Sequence, residues 1–97
     1  MSTVTNVMIS DDSIGGDSLS VKVGLVLNMR MIPSDQVGGN KCLENNLYIG
    51  AFNNFDLDKF ISDMRGIYYG RSIDDDVQLF VKRQEESRWG EVDWQKK

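Results

Sequence analysis

Residues 19–31 alternate along the chain. Leu19, Val21, Val23, Leu25, Leu27, Met29 and Met31 fall on one phase, and Ser20, Lys22, Gly24, Val26, Asn28 and Arg30 on the other. Successive side chains of a strand point to opposite faces, so a period of two predicts a long strand with one face buried and one wet. On this reading Leu25 faces the core, and Lys22 and Arg30 belong to the solvent face. A straight strand of thirteen residues spans about 43 Å, at about 3.3 Å per residue. A 97-residue globule is only about 32 Å across. The strand must therefore bend, with Gly24 the natural place, or overhang and pair with a second copy of the chain. That second option makes a homodimer through residues 19–31 an expectation.

The remaining pattern supplies the other elements. Thr3, Thr5, Val7 and Ile9 share one face of a first strand over residues 3–9. Pro33 stops the long strand because proline cannot donate to a ladder. Residues 43–52 read as a third strand, with Leu43, Leu47, Ile49 and Ala51 inward and Tyr48, Gly50 and Phe52 on the other side. Residues 57–69 carry Leu57, Phe60, Ile61, Met64, Ile67 and Tyr68 at helical spacing, which predicts one amphipathic helix. Asp56 is placed to cap it, Phe55 and Phe60 to staple its first turn, and Gly70 to end it. Gly66, inside the stripe, marks either close contact with the sheet or an early end. Strands over 77–84 (Val77, Leu79 and Val81 inward) and 88–94 (Gly90, Val92 and Trp94 on one face) close a hairpin through Glu85, Glu86 and Ser87. The expected order is βββαββ. That is a single α+β domain over residues 1–97: a mainly antiparallel sheet of about five strands, one helix packed on one face.

The residue inventory excludes much chemistry. Histidine is absent, which removes the commonest general base and metal ligand. The single cysteine, Cys42, has only Lys41 beside it to activate a thiolate and reads as a bystander. Asp11, Asp12, Ser13 and Asp17 surround Gly15-Gly16, but their spacing differs from a calcium loop, so a solvated turn is expected. Asp56, Asp58 and Asp63 are accounted for by the helix, Asp63 as the i+4 partner of Lys59. Gly38-Gly39 lacks the lysine and helix start of a phosphate loop. The expectation is a protein that is not an enzyme, with no catalytic residue, metal or cofactor.

Fifteen acidic against eleven basic residues give a net charge of −4. No basic face is visible, so direct nucleic-acid binding is disfavoured. No apolar run approaches the ~20 residues of a membrane span. With one thiol and no recognisable leader, the cytoplasm is the expected compartment. The function class that remains is binding to another protein, through an acidic surface that suits a basic partner. The residues expected to serve it are Tyr48, Tyr69 and Trp89, aromatics placed away from the core, with the acids Asp74, Asp75, Asp76, Glu85, Glu86 and Glu91.

The segment from Leu47 through the Phe55-Asp56-Leu57-Asp58-Lys59-Phe60 helix start to the closing Trp89-Gly90-Glu91-Val92-Asp93-Trp94 resembles the second half of some small immunity proteins of bacterial toxin systems. The resemblance covers about half the chain and implies a cytoplasmic protein that binds and neutralises a toxin. It transfers no binding residue. A phage-encoded inhibitor of a host or defence protein fits the same composition, and a self-assembling structural module is the alternative.

Overall fold

A computed structural model describes residues 4–11, 16–68 and 77–94, with the backbone alone for 16–20. Five strands and two helices follow one another: β1 (Val4–Asp11), α1 (Gly16–Val26), β2 (Arg30–Ile32), β3 (Asn46–Asn53), α2 (Leu57–Tyr68), β4 (Val77–Arg83) and β5 (Gly90–Val92). The sheet is antiparallel throughout, in the order β2-β3-β1-β4-β5. The α+β class, the five-stranded antiparallel sheet and the helix over 57–68 agree with the sequence reading. The element order does not: it is βαββαββ.

The long strand is the error. Residues 16–26 form α1, and only Arg30, Met31 and Ile32 of that region join the sheet. Both edges of β1 are occupied, by β3 and β4. β1 and β2 each pair antiparallel with β3, so they run in the same direction with β3 between them. A chain leaving β1 must cross over before it can enter β2, and a helix makes such a crossover. β3 and β4 stand in the same relation about β1, and α2 is their crossover. Two interlocked split βαβ units result, the ferredoxin-like arrangement, extended by the hairpin strand β5. Asn28, at φ 54°, supplies the left-handed residue that ends α1. A dimer through a strand at 19–31 therefore has no basis.

Helix α1 turns the alternating pattern in all directions. Val23 is fully buried and Leu27, just beyond the helix, nearly so. Leu25, expected in the core, is 81% exposed. Helix α2 follows its sequence closely. The Lys59 backbone N–H donates to Asp56 Oδ1 at 3.1 Å, the bond of an N-cap, and Lys59 Nζ pairs with Asp63 at 3.0 Å. The Phe55 and Phe60 rings stand 5.2 Å apart across the first turn, as a hydrophobic staple requires. Phe60, Met64, Ile67 and Tyr68 face the sheet. The expected stop at Gly70 lies outside the described residues.

Gly66 neither touches the sheet nor ends the helix: it is exposed, and a Cβ there would meet nothing within 4 Å. Gly66→Ala is therefore expected to stabilise the protein by up to about 1 kcal/mol, read as a raised midpoint in thermal or urea denaturation.

Both helices cover one face of the sheet. Val7, Ile9, Tyr48, Val77, Leu79 and Val81 from the strands meet Val23, Leu27, Met29 and the α2 stripe in one core. In β3 the two faces are opposite to expectation. Tyr48 is buried at 1% exposure, Phe52 packs at the core edge, and Ile49 is 44% exposed. Gly50 lies on the covered face, where a Cβ would come within 2.8 Å of the Phe52 ring and 3.4 Å of Met29 Cγ. The missing side chain leaves the room in which Phe52 stacks on Phe55 and tilts against Phe60.

A polar knot closes one end of this layer. Asp11 is fully buried rather than part of a solvated turn, and its Oδ2 accepts from the Tyr68 hydroxyl at 2.9 Å. Beside it the Trp94 ring packs on Tyr68 at 5.4 Å, and its indole N–H donates to the Val77 carbonyl at 2.9 Å.

Candidate functional site

Among the described residues, the helices leave the other face of the sheet open except at one end, where the 41–45 loop lines a recess with Ser10 and Leu47 and Asn45 Nδ2 donates to Ser10 Oγ at 3.0 Å. Directly paired residues on antiparallel strands share a face, so the register fixes its composition. The central row crosses all five strands as Arg30, Ile49, Met8, Phe80 and Glu91. To one side lie Ile32, Leu47, Ser10 and Gln78, and to the other Ala51, Asn6 and Lys82. Met8 and Phe80 are half-buried by their neighbours alone.

Trp89, 45% exposed, precedes β5 on the same side. It lines a shallow basin of about 430 Å³ together with Asn6, Met8, Arg30, Ile49 and Ala51. The face is thus an apolar centre with one large aromatic and a charged residue on each edge strand. Gln78 Nε2 donates to Glu91 Oε2 at 3.2 Å, which orients that carboxylate along the sheet edge.

The expected contact residues divide. Trp89 and Glu91 belong to this face. Tyr48 does not: it projects into the core, because Gly50 and Phe52, two and four positions on, share its phase and pack beneath the helices. Glu85 and Glu86 are exposed at the β4–β5 turn, where Glu86 Oε1 accepts from the Arg83 backbone N–H at 2.8 Å. Tyr69, Asp74, Asp75 and Asp76 lie outside the described residues. Lys22 and Arg30, expected on one wet face, are divided between α1 and β2.

Met8, Ile49 and Phe80 are residues that sequence reasoning does not assign to a contact surface, while Arg30 belongs to the wet face of 20–30 that it reads as a candidate one. Their signal is nevertheless present: Met8 lies out of phase with Val7 and Ile9, and Phe80 with Leu79 and Val81. A strand that is apolar on both phases is covered on both faces or carries an unpartnered one.

Other chemistry is sparse. No group of three or more His, Cys, Asp or Glu that could hold a metal ion occurs among the described residues. Cys42 is exposed. No described helix is long and apolar enough to cross a membrane. No family model matches the chain, and no curated protein or solved structure matches it significantly.

Proposed function

We propose that this chain is a non-enzymatic binding module whose contact surface is the open face of its sheet, and that it acts by covering, and so inhibiting, another protein. The observation that carries this is the central row with Trp89 at its side. Exposed aromatic and aliphatic side chains held on a rigid sheet supply contact area at little entropic cost, and such residues dominate binding energy at protein interfaces. Charged side chains of both signs at the rim set orientation and encounter rate. The resemblance of residues 47–94 to small immunity proteins supports the inhibitory form, with a toxin as target, and a phage-encoded inhibitor would use the face in the same way. The net charge of −4 favours a partner with a basic surface.

The central strands argue against a nucleic-acid ligand. Sheet platforms that bind single strands stack bases on aromatic side chains within a positively charged groove. Here β1 and β3 present Met8 and Ile49 at the middle of the face.

The experiment is affinity capture from cells of the source with the wild-type chain and with Met8→Lys in parallel, the fold of each verified by circular dichroism. A protein captured by the wild type and lost at least tenfold with Met8→Lys, which places a charge in the centre of the face, is expected. Equal capture by both proteins, or none by either, would sink the reading.

A further inference from the structure

The central row is self-complementary. β1 is the middle strand of five, with two strands on either side, and Met8 is the middle residue of the row. Moving outward, Met8 is followed on one side by Ile49 and then Arg30, and on the other by Phe80 and then Glu91. The row thus ends in a cation at one edge of the sheet and an anion at the other.

We infer that the open face is occupied by a second copy of this chain, packed sheet against sheet about a two-fold axis parallel to β1. This rests on the reading of that face as the contact surface. The axis sets Met8 against Met8 of the second copy and Ile49 against its Phe80. Arg30 meets Glu91 twice, once at each edge, so the same patch serves both copies, as an isologous interface requires. A two-fold axis running across the strands would instead set Arg30 on Arg30 and Glu91 on Glu91, and like charges oppose that alternative.

The geometry permits the contact. Face-to-face sheets align within about 30°. At strand spacings of about 4.8 Å that tilt displaces the row ends by about 5 Å, within reach of arginine and glutamate side chains. The long strands have 7 and 8 residues. The three central strands cover roughly 14 by 26 Å and the three-residue edge strands add roughly 100 Å², about 470 Å² in plan per copy. That is below the roughly 800 Å² per partner of a standard interface, so a weak dimer, high micromolar or looser, is expected. A protein partner at this face has to displace the second copy.

Charge exchange tests the arrangement. Sedimentation equilibrium over roughly 10 µM to 1 mM, where an interface of this area populates both states, is run on the wild type, Arg30→Glu, Glu91→Arg and an equimolar mixture of the two variants. Both positions are exposed and on three-residue edge strands, and circular dichroism verifies each fold. Each variant alone turns two opposite-charge contacts into like-charge contacts and is expected to dimerise roughly tenfold more weakly. A heterodimer in the mixture has one copy with acids at both row ends and one with bases at both. Each edge then pairs unlike charges again, so heterodimers are expected to recover wild-type strength.

A wild type that stays monomeric to about 1 mM overturns the proposal. So do single variants that dimerise like the wild type, and a mixture that fails to recover. A monomeric wild type that still loses its captured partner on Met8→Lys would leave the contact face standing without the dimer. A dimer indifferent to Met8→Lys would form through another surface and overturn the proposal.

Discussion

Trp94→Ala is expected to lower the stability of the fold by about 3–5 kcal/mol, the cost of deleting a buried large aromatic. Trp94 is 4% exposed and joins three elements. Its ring lies 5.4 Å from that of Tyr68 on α2, and its indole N–H reaches the Val77 carbonyl at the start of β4. Its own carbonyl accepts from Arg65 Nε at 2.7 Å. Removing the side chain opens a cavity beside the buried Asp11–Tyr68 pair and leaves the Val77 carbonyl without that donor. Domains of this size carry roughly 5–15 kcal/mol in all, so the variant should be marginal at room temperature. Trp94→Phe keeps a ring against Tyr68 but deletes the indole N–H, and should cost about 1–3 kcal/mol. Urea denaturation followed by far-ultraviolet circular dichroism measures both. Equal stability of Trp94→Ala and the wild type would show that β5 and its flank dock differently.

The second large effect is a contrast between neighbours. Val23→Asp should destabilise the protein by several kcal/mol and leave it unfolded or nearly so, because it places a carboxylate at a fully buried apolar position. Leu25→Asp, two residues on and 81% exposed, should cost under about 1 kcal/mol. That small cost comes from aspartate's lower helix propensity and its place near the negative end of the α1 dipole. On a strand the two side chains would share a face, and both substitutions would be equally damaging. In a helix they point about 200° apart. Thermal melts of the two variants decide which geometry the segment adopts, and similar losses for both would overturn α1.

That contrast also locates what the sequence leaves open. Residues 19–31 satisfy two periods at once: the odd positions alternate, while Leu19, Val23, Val26 and Leu27 stand at i, i+4, i+7 and i+8. Periodicity cannot choose between them when apolar residues occupy so many positions. Strand β3 poses the same ambiguity, since Leu47, Ile49 and Ala51 on one phase compete with Tyr48 and Phe52 on the other. The candidate site inherits both difficulties. Trp89 and Glu91 are legible because the β4–β5 hairpin alternates on a single phase. Tyr48 is misplaced together with β3, and Arg30 cannot be joined to Met8 and Phe80 before the sheet order is known.

What the sequence by itself determined is local and chemical. Helix α2 is specified by a single apolar stripe, the Asp56 cap, the Phe55–Phe60 staple and the Lys59–Asp63 pair, all within a few residues of one another. The inward phases of β1 and β4, the terminal hairpin and the absence of histidine chemistry are legible in the same way. Only the tertiary structure decided that 16–26 is a helix, that Tyr48 faces inward, and that Arg30, Ile49, Met8, Phe80 and Glu91 form one row. The physical reason is that each depends on strand order. β1 has both edges taken, so the chain must cross over to reach β2, and the crossover fixes which face is covered and which is left open.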